Sequence, residues 1–218
     1  MAKSAMDRTV NRSGDDEMTY GWIKKYVLQL INRYSLSGET IDETYNDQKD
    51  YLNRIPALVN DAVMYIATAV RRIPTCVRLD GLEHTALGDY DVYTLPQDCY
   101  QVKNGILYSA GGKLERMDIA RFIGDGRIAV AKGLDDGLLE YYRYPNLLGD
   151  DPSDDETLDN SPHTHTAVAF YAAAHLMLDD NEFGYTALHN EFETRIARLY
   201  DTSAAETSSQ RSIYAAGI

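Results

Sequence analysis

The sequence is short of positive charge. Its 218 residues hold 21 Lys and Arg against 34 Asp and Glu, a net charge of −13 with a pI near 4.7. Tight binding to a nucleic-acid backbone needs clustered Lys and Arg, and adhesion to an anionic membrane needs the same. The composition speaks against both. It does not oppose DNA passing through an acidic channel, because repulsion prevents sticking. Cysteine is also scarce. Cys76 and Cys99 lie 23 positions apart without a CxxC spacing, and they read as two reduced thiols rather than a metal knuckle or disulfide framework. No apolar run approaches the ~18 residues needed to span a bilayer. Residues 1–17 carry Lys3, Arg8 and Arg12 but no apolar stretch, so they do not read as a signal peptide and a cytosol-like site of synthesis is expected.

Catalytic signatures are missing as well. Gly111-Gly112 and Gly124-Asp125-Gly126 do not match a phosphate-binding loop, and there is no G-x-S-x-G nucleophile turn. His163 and His165 form H-x-H, with His175 further on. Residues two apart do not share a helix face, although in an extended segment they can. A zinc site wants three or four converging ligands, and solvated histidines at a helix start are the simpler reading. His84 and His189 have no sequence neighbour that would complete a site. The acidic stretch Asp150–Asp159 lacks the D-x-[DN]-x-[DN]-G spacing of a calcium loop and is interrupted by Pro152, so a solvated, partner-facing loop is expected. No catalytic, cofactor-binding or metal-binding residue is assigned, and no cofactor is expected.

What the chain does have is tyrosine: 17, against one Trp and four Phe. Tyrosine gives a large amphipathic contact area and is favoured where a surface is half-buried against a partner. A tyrosine-rich sheet would also account for the number. The candidate subunit-interface residues are Tyr141, Tyr142, Tyr144, Trp22 and Tyr26.

Residues 1–18 read as a flexible arm. Residues 19–74 read as two N-terminal helices. Thr19 is placed to cap the first, about 20–35, whose apolar positions Trp22, Ile23, Tyr26, Val27, Leu30 and Ile31 recur in steps of three and four. The second runs from about 39–50 to Arg72 through Tyr51, Ile55, Val59, Val63 and Ile66. Pro56 within it is expected to kink the helix or start a new one. From 75 to 145 the period shortens and turn residues intervene. This predicts an antiparallel sheet or small sandwich of five to seven strands, with Gly111-Gly112 and Asp136-Gly137 as hairpin turns. Residues 146–200 hold the acidic loop and two C-terminal helices. The first of these starts at Ser161-Pro162 and is apolar on nearly all sides, hence buried; the second spans about 185–200. Residues 201–218 read as an extended, flexible tail. The expected fold is thus α+β: a helical bundle body of two N-terminal and two C-terminal helices, with an inserted antiparallel β-sheet or small sandwich.

Four segments, in this order, resemble the head–tail connector (adaptor) proteins of tailed bacteriophages. They are Tyr51-Leu52-Asn53-Arg54-Ile55-Pro56-Ala57-Leu58-Val59-Asn60-Asp61-Ala62; Tyr93-Thr94-Leu95-Pro96-Gln97-Asp98, similar to a Y-x-L-P-x-D strand end; Glu140-Tyr141-Tyr142-Arg143-Tyr144-Pro145, leading through the acidic loop to Val168–Leu176; and Asp179-Asp180 leading into Leu188–Glu193. Together they cover about residues 45–200. The resemblance implies a non-enzymatic virion protein, made in the host cytoplasm. It implies a homo-oligomeric ring, usually dodecameric, beneath the portal protein, joined to downstream neck and tail proteins. Genomic DNA would pass through its lumen without sequence-specific binding. It further implies a C-terminal tail that reaches the portal, here with Arg211, Ile213, Tyr214 and Ile218 as the contact residues. Another neck or tail protein, such as a stopper or tail-completion subunit, is the neighbouring alternative. A metal-dependent hydrolase built on His163, His165 and His175 is the alternative from a different class.

Overall fold

The computed structural model describes residues 18–31, 46–110, 113–119, 121–134, 136–178 and 181–215, with the backbone alone in 201–215. Helix α1 (Tyr20–Leu30) starts as its sequence predicts: the Thr19 hydroxyl accepts from the Trp22 amide, satisfying one of the open donors of the first turn. Ile23, Val27, Leu28 and Ile31 are buried on one face. The rest of the first predicted helix, 32–35, lies outside the described residues. Helix α2 (Asn46–Tyr65) continues past Pro56, so this proline does not open a new helix. It ends in a π-helical turn, Ile66–Val70, where the Arg71 amide donates to the Ile66 carbonyl at 2.8 Å.

Eight described strands follow: β1 (Ile73–Arg78), β2 (His84–Leu87), β3 (Tyr90–Thr94), β4 (Cys99–Ala110), β5 (Lys113–Met117), β6 (Arg121–Ile123), β7 (Arg127–Ala131) and β8 (Leu138–Arg143). They form two four-stranded antiparallel sheets, ordered β1-β8-β4-β5 and β2-β3-β7-β6. The inner faces meet in one small core: Tyr93, Ile128 and Val130 from one sheet, Ile106 and Leu139 from the other, with Leu79 and Leu134 at the margins. Ala110 pairs with Lys113 across Gly111-Gly112, which themselves lie outside the described residues. Asp136-Gly137 does not make the expected hairpin. It lies in the connection from β7 to β8, which changes sheets, and the Leu79 amide donates to the Gly137 carbonyl there. Gly105 marks an irregularity in β4, where the register against β8 shifts. Its φ of 97° is left-handed, and a Cβ there would sit 2.7 Å from the Met117 carbonyl oxygen, so only glycine fits.

After β8, Pro162–Thr164 forms a short 3₁₀ turn into α3 (His165–Met177), and α4 (Glu182–Ala215) closes the described chain. As predicted, α3 is buried on nearly every side; Ala167, Val168, Ala169, Ala172, Ala173, Ala174 and Leu176 are each at most 1% exposed. Asp179 and Asp180, beyond its end, lie outside the described residues.

Two expectations are corrected. First, the helices are not a bundle body. The fold is α+β, roughly 45% helix and 29% strand, so the β part is too large to be an appendage; of the two forms expected for it, it takes the two-sheet one. Helices α1, α2 and α4 each lie against α3 and, among the described residues, form no comparable interface with one another. The physical reason is α3 itself: a helix with no polar face must be covered from several directions, so its neighbours surround it instead of pairing in a square. Second, residues 201–215 are helical, a continuation of α4, and not an extended tail. No Gly or Pro falls between Tyr185 and Ala216, and Ala204, Ala205, Glu206, Gln210 and Arg211 are good helix formers. Nothing in the sequence stops the helix at 200.

Candidate interaction surfaces

Four of the five aromatic residues proposed for subunit contact are occupied within the fold. Tyr141 is 6% exposed and its hydroxyl donates to the Asp98 carboxylate at 3.2 Å. Trp22 and Tyr26 are half-buried on the helical core; their rings lie 5.0 Å apart, and Tyr26 meets Phe170 edge-on at 6.0 Å. Tyr142 is also half-buried, with the Arg72 guanidinium 5.3 Å and the Lys103 ammonium 5.1 Å from its ring centre. Tyr144 is 40% exposed and lies beside the exposed Tyr100, ring centres 5.3 Å apart. Of the residues proposed to reach the portal, Arg211, Ile213 and Tyr214 fall on the final turns of α4, where only the backbone is described, and Ile218 lies outside the described residues.

The histidines do not converge. His163 is exposed. His165 is 2% exposed and donates from Nε2 to the Asn160 carbonyl, while burial holds its pKa below the ordinary value. His175 donates from Nδ1 to the Tyr171 carbonyl at 2.9 Å and stacks on the Tyr171 ring. Among the described residues, no group of three or more His, Cys, Asp or Glu could hold a metal ion. Cys76 and Cys99 are free thiols on β1 and β4. Strand β8 lies between them, and two strand spacings of about 4.8 Å exceed the reach of a disulfide.

The acidic connection between β8 and α3 is only partly solvated. The amides of Tyr20 and Gly21 donate to the Glu156 and Asp154 carbonyls at 2.7 and 2.9 Å, and the Lys24 ammonium meets the Asp154 carboxylate. The loop therefore caps the amino end of α1, which favours negative charge. A Cβ on Gly21 would come within 2.8 Å of Asp154, so the close approach needs glycine. At the other end of the loop, the Asn60 side chain brackets Leu148, donating to its carbonyl at 2.9 Å and accepting from its amide at 2.8 Å. Arg143 and Asp159 close the base of the loop with a paired contact.

No protein-family model matches the chain, and no curated protein matches it either.

Sequence reading missed two groups. One is an aromatic seam between α3 and α4, in which the rings of Tyr171, His175, Tyr185, His189 and Phe192 meet in series, stacked within the pairs Tyr171–His175 and Tyr185–His189, and the Tyr171 hydroxyl bonds the Asp61 carboxylate. The spacing of Tyr171 to His175 and of Tyr185 to His189, each four apart, was the available signal. The other is an apolar hollow of about 470 Å³ on β2, β3, β6 and β7, with Leu87, Tyr90 and Phe122 exposed around it. No periodic signal separates an outward Leu from an inward one in strands this short.

Proposed function

We propose that the chain is a structural subunit of a phage head–tail connector, an adaptor that assembles as a ring beneath the portal and joins the DNA-filled head to the neck. The observation that carries this reading is that the segments bearing the resemblance are joined to one another. Asp98, at the end of the Y-x-L-P-x-D segment, accepts from the Tyr141 hydroxyl through its carboxylate and from the Tyr144 amide, at 2.8 Å, through its carbonyl. Asn60, near the end of the first segment, brackets Leu148 just beyond the third. Phe170 and Tyr171 of the third lie under Arg195 and against Phe192 of the last helix. Four stretches that are weak signals singly thus build one connected frame.

The mechanism is binding. Neighbouring subunits bury surface against each other, on the scale of about 1,600 Å² that a specific interface requires, and closed rotational symmetry repeats that contact. Charge supports passage of DNA. Residues 146–200 hold eleven Asp and Glu against two Arg, so nine of the thirteen net negative charges fall in that quarter of the chain. A lumen of this character repels phosphate and lets DNA slide.

The test uses portal-bearing heads. Leu199 is the last core residue of α4 among the described side chains, and removing 201–218 is expected to leave the fold intact and to abolish co-sedimentation with those heads. A truncated chain that still binds them overturns the role of this segment. A full-length chain that never binds them, but is found lower in the neck of an imaged virion, overturns the adaptor reading in favour of a stopper or tail-completion role.

A further inference from the structure

The hollow on the second sheet is an unusual feature in so acidic a chain. Ala129 forms its floor and lies between the inward Ile128 and Val130, which marks this as the sheet's outer face. Leu87 is 60% exposed, Phe122 63% and Tyr90 44%. Contiguous exposed apolar surface of this kind marks an interaction site. Arg121 also lines it. Among the described residues no ion pair involves Arg121, whereas nearby Arg127 meets Asp125 at 3.6 Å. The hollow therefore presents an apolar floor with an uncompensated positive charge. Its occupant must carry an apolar side chain and a carboxylate close together.

The connection between β8 and α3 carries that pair. Its two ends are held on the helices, by Asn60 at Leu148 and by the first turn of α1 at Asp154 and Glu156. Between and beside these anchors, Leu147 is 47% exposed, and Asp150 and Asp151 are both exposed. A leucine that faces water three residues before two aspartates matches the hollow in polarity and charge.

We propose that the hollow of one copy receives this loop from a second copy, with Leu147 against Leu87 and Tyr90 and with Asp150 and Asp151 facing Arg121. The inference rests on the ring-subunit reading above and supplies the contact that reading leaves unspecified. The two surfaces differ, so the contact is heterologous. Such contacts propagate head to tail and close into a ring when the rotation per copy allows it.

Sedimentation velocity of the purified full-length chain, at rising concentration and low salt, tests this. Expected is a reversible association weakened by salt. Arg121→Glu and the double reversal Asp150→Lys/Asp151→Lys should each weaken it by about tenfold or more, because like charges then face each other. An equimolar mixture of the two reversed chains should recover heterotypic association. All three positions are exposed, and circular dichroism confirms that the variants fold; Leu147→Ser, which removes the apolar half without altering charge, gives an independent weakening. Association that survives both reversals overturns the pairing and leaves the ring reading standing. A chain that remains monomeric throughout overturns the pairing too, while head binding, measured separately, decides the ring reading.

Discussion

Arg143, the last residue of β8, and Asp159, sixteen positions later, face each other fork to fork: Nη2 donates to Oδ1 at 2.7 Å while Nη1 reaches Oδ2. The Asn146 amide also donates to Oδ2, at 2.7 Å. This pairing of planar groups closes the loop that carries the chain from the sandwich to the helices. The arginine hydrogen bond holds the Asp159 carboxyl below its ordinary value.

Replacing Asp159 with Ala should cost about 2–4 kcal/mol, since it leaves a half-buried guanidinium unpaired. Arg143→Lys should recover little of the native stability, because an ammonium cannot make both bonds. The pH dependence follows from the lowered carboxyl pKa. Its stabilisation is complete above the unfolded value of 3.8 and is lost as pH falls through the lower folded value. Urea unfolding at pH 7 and pH 3 should show the wild type converging on Asp159→Ala at the lower pH.

Asn60 is the only side chain that both donates to and accepts from Leu148 among the described contacts. Asn60→Ala should cost about 1–3 kcal/mol. Asn60→Asp should cost as much, because it replaces the donor with a carboxylate facing a carbonyl. In both variants amide exchange at Leu148 should accelerate well before exchange in α3, which is measurable by mass spectrometry.

Tyrosine ionisation reports the core. Tyr20 is pushed up to about 12 by burial, reinforced by Asp154 and Asp151, and Tyr141 to about 12 by burial and Asp98. Burial and the bond to Asp61 raise Tyr171 further. A folded pKa above the unfolded one means that the stabilisation is fully present below pH 10 and is lost as pH rises towards 12. Absorbance at the tyrosinate band should show these three rings ionising only as the chain unfolds. Tyr171→Phe should remove one of them and lower stability by about 1 kcal/mol.

Helix α3 is lined with alanine because its neighbours approach closely. Ala173 is fully buried, so Ala173→Leu should overpack and cost about 1–3 kcal/mol. Leu176→Ala, at an equally buried site, should cost about 2–5 kcal/mol by leaving a cavity. Thermal unfolding followed by far-ultraviolet dichroism measures both.

Local physics was legible in the sequence. Thr19 as a cap, the apolar stripe of α1, the start of α3 after Pro162 and its burial on all sides are each written within a few residues of where they act; the continuation of α2 past Pro56 was not. Short alternating runs bounded by turn residues likewise announced strands between 75 and 145. The fate of Asp136-Gly137 was not announced, because a turn sequence records a reversal of the chain and not the sheet to which the next strand returns. Nor was it legible that Tyr141 is consumed by Asp98 while Tyr144 stays open, although three positions separate them.

Composition and periodicity therefore determined where helices and strands fall up to about residue 200, and that one helix must lie at the centre. Tertiary structure alone decided that three helices surround α3 instead of forming a bundle, that the eight described strands divide between two sheets, and which aromatic and apolar side chains remain free for a partner. The reason is range. Capping, period and turn chemistry act over one to four residues, whereas sheet partners and exposed faces are set by contacts between residues that the chain keeps tens of positions apart.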